Sequence, residues 1–189
     1  MRAQPAPSWR PPTFKRTARA FVRCNGGFGS PLRRCYRDRV TSEALDQLAS
    51  EFLSSSLPRD QWNHIAHLSV GAWHVYRFGV DEAVARLRVG IRALNDRHGT
   101  PNTTTSGYHE TITVAYARLI EEFLSSFEPS IPLEHRVSHL LSGPLSERSC
   151  LLRFWSRALL MSEAARAAWV APDLEPLGVP PEAIPLHRQ

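Results

Sequence analysis

An all-α fold, a compact bundle of about five to seven helices behind a disordered N-terminal tail, is what this sequence predicts. Three observations carry that expectation. From Thr41 onward apolar residues recur at three- and four-residue steps, as one face of a helix requires. No stretch alternates apolar and polar residues as a half-buried strand would. The breaks between the periodic segments hold proline, glycine or residues that cap helices. Hydrophobic residues make up 42% of the 189 positions, enough for one core. No run approaches the roughly 18 uninterrupted apolar residues that span a bilayer.

Residues 1–40 hold Pro5, Pro7, Pro11, Pro12 and Pro31 with scattered arginines and no periodicity, so they read as a disordered basic tail. A native start near Val40, with an over-extended reading frame before it, is the expectation for this region. The helical domain then runs over 41–175. Thr41 or Ser42 caps a first helix carrying Leu45, Leu48, Phe52 and Leu53 on one face. Pro58 ends it, because the residue before proline avoids the α region. Asp60 caps a second helix to about Phe78, which Gly79 closes. Asp81 caps a third, with Ala83, Leu87, Ile91 and Leu94 among its apolar set. After a polar loop over 95–106, Ser106 caps a long helix from about Gly107 to Ser126. Shorter helices are expected over Leu133–Leu141, Glu147–Leu159 and Ser162–Val170, then a proline-rich tail over 176–189.

Charge excludes one class of function. The first 40 residues carry ten Lys/Arg and one acid, Asp38, a balance of +9. The other 149 residues carry 13 basic and 17 acidic side chains, a balance of −4. The overall +5 therefore belongs to the tail, and base readout needs a structured basic face. A nucleic-acid partner is not expected, nor is a membrane. Cys24, Cys35 and Cys150 are an odd, widely spaced set without a CxxC pair. That argues against a disulfide framework and for a reducing, cytoplasmic compartment.

The chemistry lies in two stretches, Trp62–Leu68 and Tyr108–Thr111. At about 100° per residue His64, His67, Leu68, Gly71, His74 and Phe78 share one stripe of a helix that is apolar nearly all round. Such a helix is buried, so its imidazoles need hydrogen bonds or a metal. Gly71, which costs about 1 kcal/mol against alanine in mid-helix, leaves room beside them for a pocket or a close helix contact. His109 shares an inward stripe with Ile112, Thr113 and Tyr116, and Glu110 follows it. His64, His67 and His109, with Glu110 as fourth ligand or general base, would suit a divalent Zn, Fe, Mn or Cu ion with an open position. Tyr108 could lend its phenol, and Arg157 or Arg166 a fork for a carboxylate. His74, two turns beyond His67 and about 10 Å along the axis, is the weaker candidate for a further ligand. His98, His135, His139 and His187 sit in loops or polar segments.

Over about 41–175 the chain resembles a group of small bacterial helical proteins sharing a WxHxxHL segment, an arginine-bearing amphipathic helix, a YHETIT segment and an SR…AR..WV.PDL segment. Here these are Trp62–Leu68, Ala85–Leu94, Tyr108–Thr113 and Ser156–Leu174. The resemblance supports the domain boundary and brings no activity with it. The leading expectation is thus a metal-dependent helical-bundle enzyme, a hydrolase or oxygenase, acting on a small-molecule substrate that enters past the loop at 99–106. The alternative is a non-enzymatic ligand-binding or interaction bundle whose histidines are structural. A homodimer could bury an apolar face in either case.

Overall fold

The computed structural model describes residues 40–184, which form seven α-helices and no strand among the described residues. The expected tail over 1–40 lies outside them except for Val40. Helix α1 is Ser42–Leu53, capped by the Thr41 hydroxyl, which accepts from the Ala44 N–H at 3.2 Å. Its face of Leu45, Leu48, Ala49 and Phe52 is buried.

Helix α2, His64–Phe78, is the axis of the bundle. Every residue from Leu68 to Val75 is buried, because α1, the third and fourth helices and a fifth pack around it. The Asp60 cap expected from sequence is not used. Residues 58–62 wind into a turn in which the Gln61 and Trp62 N–H groups donate to the Pro58 carbonyl. Asn63 then caps, its side-chain oxygen accepting from Ala66 N–H at 3.1 Å. This later start frees Trp62 to stack on Phe52, with ring centroids 5.3 Å apart.

Helix α3, Val80–Arg97, follows after Gly79 alone, whose φ of 73° turns the chain between the two helices. Asp81 and Glu82 occupy its first turn, where the helix dipole favours acids. Gly90 faces the ring of Phe52 so closely that a Cβ there would collide with it. Gly90→Ala is therefore expected to destabilise the protein by about 1–3 kcal/mol through overpacking, read as a lower urea midpoint. An unchanged midpoint would show that Phe52 can step aside.

Helix α4 is Glu110–Ser125 and α5 is Leu133–Ser142. The single helix expected over Glu147–Leu159 is broken. A 3₁₀ turn at Cys150–Arg153 stops at Phe154, and α6 (Arg157–Leu160) starts anew from Ser156. The Ser156 N–H donates to Asp173 at 2.7 Å, a partner 17 residues away that local spacing does not reveal. Helix α7, Glu163–Ala167, is capped by Ser162. The segment after 175, expected as a tail, packs onto the body as far as it is described. Val179 and Ala183 are buried, and Val179 N–H donates to Glu122 at 3.0 Å.

Arg136 of α5 organises the turn between α4 and α5. Buried and without a carboxylate partner among the described residues, it donates to the carbonyls of Leu124, Glu128, Pro129 and Ile131 at 2.8–3.1 Å. These include a carbonyl of the last turn of α4, which no intrahelical N–H reaches.

Candidate functional site

Between α2, α3 and α4 lies a cavity of about 350 Å³. Its polar groups come from the start of α2, from α4, and from Arg148 in the turn before Cys150–Arg153. His64 and His67 are one turn apart on α2, and Thr113 and Tyr116 hold the same relation on α4. The walls are graded by depth. Leu68, Gly71, Leu87, Ala117 and Ile120 are buried and form the floor, whereas Asn63, His67 and Arg148 are exposed at the rim. Gly71 does both things expected of it. It opens the floor, and its missing Cβ would sit 3.2 Å from Ile120 Cδ1 on α4.

His64 meets Tyr116 edge to face, with centroids 5.7 Å apart. His67 lies against the Trp62 indole at 3.7 Å. Protein packed around the His67 ring, then the neighbouring His64, pull its pKa down to about 4. More than a third of the residue is nevertheless open to water, which tempers that depression. Burial pushes the Tyr116 phenol up, with a smaller contribution from Cys150.

The other residues expected at the site are committed elsewhere. Helix α4 begins at Glu110, so His109 is its cap and not a residue of its first turn. Gly107, at φ 74° and tight against Pro101 and Asn102, keeps the chain out of the helix past Ser106. His109 Nδ1 accepts from Ile112 N–H at 3.4 Å, and Nε2–H donates to the Leu160 carbonyl at 2.9 Å. Both ring nitrogens are thereby used, and neither faces the cavity lined by His64 and His67. Glu110 is equally held. Arg88 grips it with two bonds of 3.0 and 2.5 Å, and the Tyr108 hydroxyl donates to it at 2.9 Å. The Arg88 bond, above all, holds the Glu110 carboxyl below its usual range. Tyr108 is buried, its pKa pushed up to about 12 chiefly by that burial, while Arg92 covers its ring at 4.7 Å. Arg157 is exposed at the start of α6 and lines no part of the cavity. Arg166 donates to the carbonyls of Gly107 and Tyr108, bracing the loop before α4. His64, His67, His109 and Glu110 thus do not converge. Among the described residues no group of three or more His, Cys, Asp or Glu is placed to hold a metal ion.

His74 is fully buried between Phe52, Trp73 and Phe78. Its Nδ1–H donates to the Val70 carbonyl at 2.8 Å, and Nε2 has no partner. Burial holds both His74 and His109 below the usual imidazole pKa. The unfolded chain then binds protons near pH 6.5 that the folded one refuses, so stability falls as pH drops below that value. Each imidazole adds a slope approaching about 1.4 kcal/mol per pH unit. Glu110, with its lowered pKa, enters only below the ordinary carboxylate range near 4.5. Urea titrations between pH 5 and 7 are expected to show the decline, and His74→Gln to remove only its own share, with His109 and His67 still contributing. A pH-independent midpoint over that range would contradict the neutral, buried assignment.

Sequence spacing brings His64, His67 and Gly71 to the cavity, but not Arg148, which sits in a segment that reads as helical and is not. Comparison of the chain with models of protein families, with curated proteins and with solved structures finds no match.

Proposed function

We propose that the protein binds a small organic molecule in the cavity between α2, α3 and α4, with His64 and His67 as polar contacts. The observation that carries this reading is the segregation of the walls, apolar and buried at the floor, polar and exposed at the rim. Ligand sites combine a concave apolar surface with a few placed polar groups, and a volume of about 350 Å³ falls at the small end of their range of about 300–1,000 Å³. The odd, widely spaced cysteines support a reducing, cytoplasmic compartment for this activity. Fragment screening by NMR on the full chain is expected to perturb the side-chain resonances of His67 and Trp62. Hits that move neither would remove the reading.

A second reading is favoured by one observation, the placement of His64 and His67 in one cavity a single turn apart. Two imidazoles are one short of the three protein ligands usual at a catalytic zinc, so a Zn, Fe, Mn or Cu ion would take its remaining ligands from water and substrate. The metal-dependent enzyme expected from sequence would then work without His109 or Glu110. Elemental analysis of untagged full-length protein separates the two. Near-stoichiometric metal that is lost in His64→Ala and His67→Ala supports the enzyme, and metal-free protein that binds fragments supports the first reading.

A further inference from the structure

We propose that the ligand is a small monocarboxylate with an apolar body, seated body inward, its carboxylate held at the rim by Arg148 and His67. The inference rests on the ligand-binding reading above and adds the charge and the orientation of the ligand. Its first support is the composition of the walls. The charged or titratable side chains lining the cavity are His64, His67, Tyr116 and Arg148, and no aspartate or glutamate is among them. A cationic ligand would meet a guanidinium with no acid to offset it.

The second support is the state of Arg148. Several other arginines have assigned tasks. Arg88 grips Glu110, Arg92 covers Tyr108, and Arg166 braces two carbonyls. Arg148 is exposed at the rim and has no carboxylate partner among the described residues. Its planar fork matches the two oxygens of a carboxylate, and such charge-assisted pairs are stronger than neutral hydrogen bonds. His67, exposed in the same lining, offers an imidazole N–H to the same head group.

The third support is depth. Leu68, Leu87, Ala117 and Ile120 lie beneath the rim and offer a ligand only apolar contact. A body buried there would leave its charged head among the exposed groups, where the desolvation of a carboxylate is least costly. The space accommodates one ring or a short branched chain. Trp62, held between Phe52 and His67, gives the opening a flat aromatic edge.

Three probes sharing one body test the proposal on the full-length protein: 3-phenylpropanoate, 3-phenylpropan-1-ol and 3-phenylpropan-1-amine, titrated by NMR. The carboxylate is expected to bind at least tenfold more tightly than the alcohol, and the amine most weakly, each shifting the Trp62 indole N–H. Arg148→Gln, an exposed substitution, should bring the carboxylate down to the level of the alcohol while leaving the alcohol and the melting temperature unchanged. An alcohol equal to the carboxylate, or an amine that binds more tightly, overturns the charge inference and leaves the binding reading standing. If none of the three probes moves Trp62 or His67, both fall together.

Discussion

Replacing Arg136 with methionine is expected to lower the unfolding free energy by about 2–4 kcal/mol, the cost of withdrawing a charged donor from buried carbonyls. Methionine matches much of the volume, so the loss comes from hydrogen bonding. The carbonyls of Pro129 and Ile131 lose their donor, while those of Leu124 and Glu128 lose the guanidinium but keep N–H bonds from Phe127 and Ile131. Each that cannot reach water carries a penalty of about 1–3 kcal/mol. The contacts of the guanidinium with the rings of Tyr76 and Phe127, 5.7 and 5.9 Å away, go with it. Arg136→Lys should recover part of the loss, since an ammonium reaches some of these oxygens but not all. Urea unfolding followed by circular dichroism measures both variants. A loss below 1 kcal/mol in the methionine variant would mean that water replaces the guanidinium.

His109→Ala is the second large effect, about 2–4 kcal/mol, and it bears on function. Removing the cap of α4 costs about 0.5–2 kcal/mol, and the buried Leu160 carbonyl loses its donor at about 1–3 kcal/mol. His109→Asn should restore the cap without reaching Leu160, recovering roughly 1 kcal/mol. His67→Ala, at an exposed position, should cost under about 0.5 kcal/mol while weakening probe binding. The pattern separates a structural histidine from a binding one. If His109→Ala left stability intact, the capping role would be wrong and a ligand role would return.

What could be read in advance follows the range of the interaction. Helix α2 is apolar nearly all round, and burial from Leu68 to Val75 is the direct consequence. The stripe of His64, His67 and Gly71 is a property of one helix, so spacing alone assembles that side of the cavity. The second half of the constellation depends on which residue caps α4. Ser106 offers ordinary capping chemistry, whereas the left-handed Gly107 and the contact of His109 with Leu160, 51 residues on, are invisible to periodicity. A shift of three residues in the helix start turns an expected ligand into a cap. Arg148 was hidden for the converse reason. The apolar spacing of 147–159 imitates a helix, and Asp173, from a distant part of the chain, holds the break at Ser156.

The start of α4 is stitched to the C-terminal third of the molecule. His109 reaches Leu160, the Thr111 hydroxyl bridges Ala168 and Val170, and Arg166 spans back to Gly107 and Tyr108, over 51 to 59 residues. On a translating ribosome, at about 5–20 residues per second, those partners emerge roughly 3–12 s after α4 itself. The nascent bundle therefore waits with one helix end unfastened until the C-terminal third arrives.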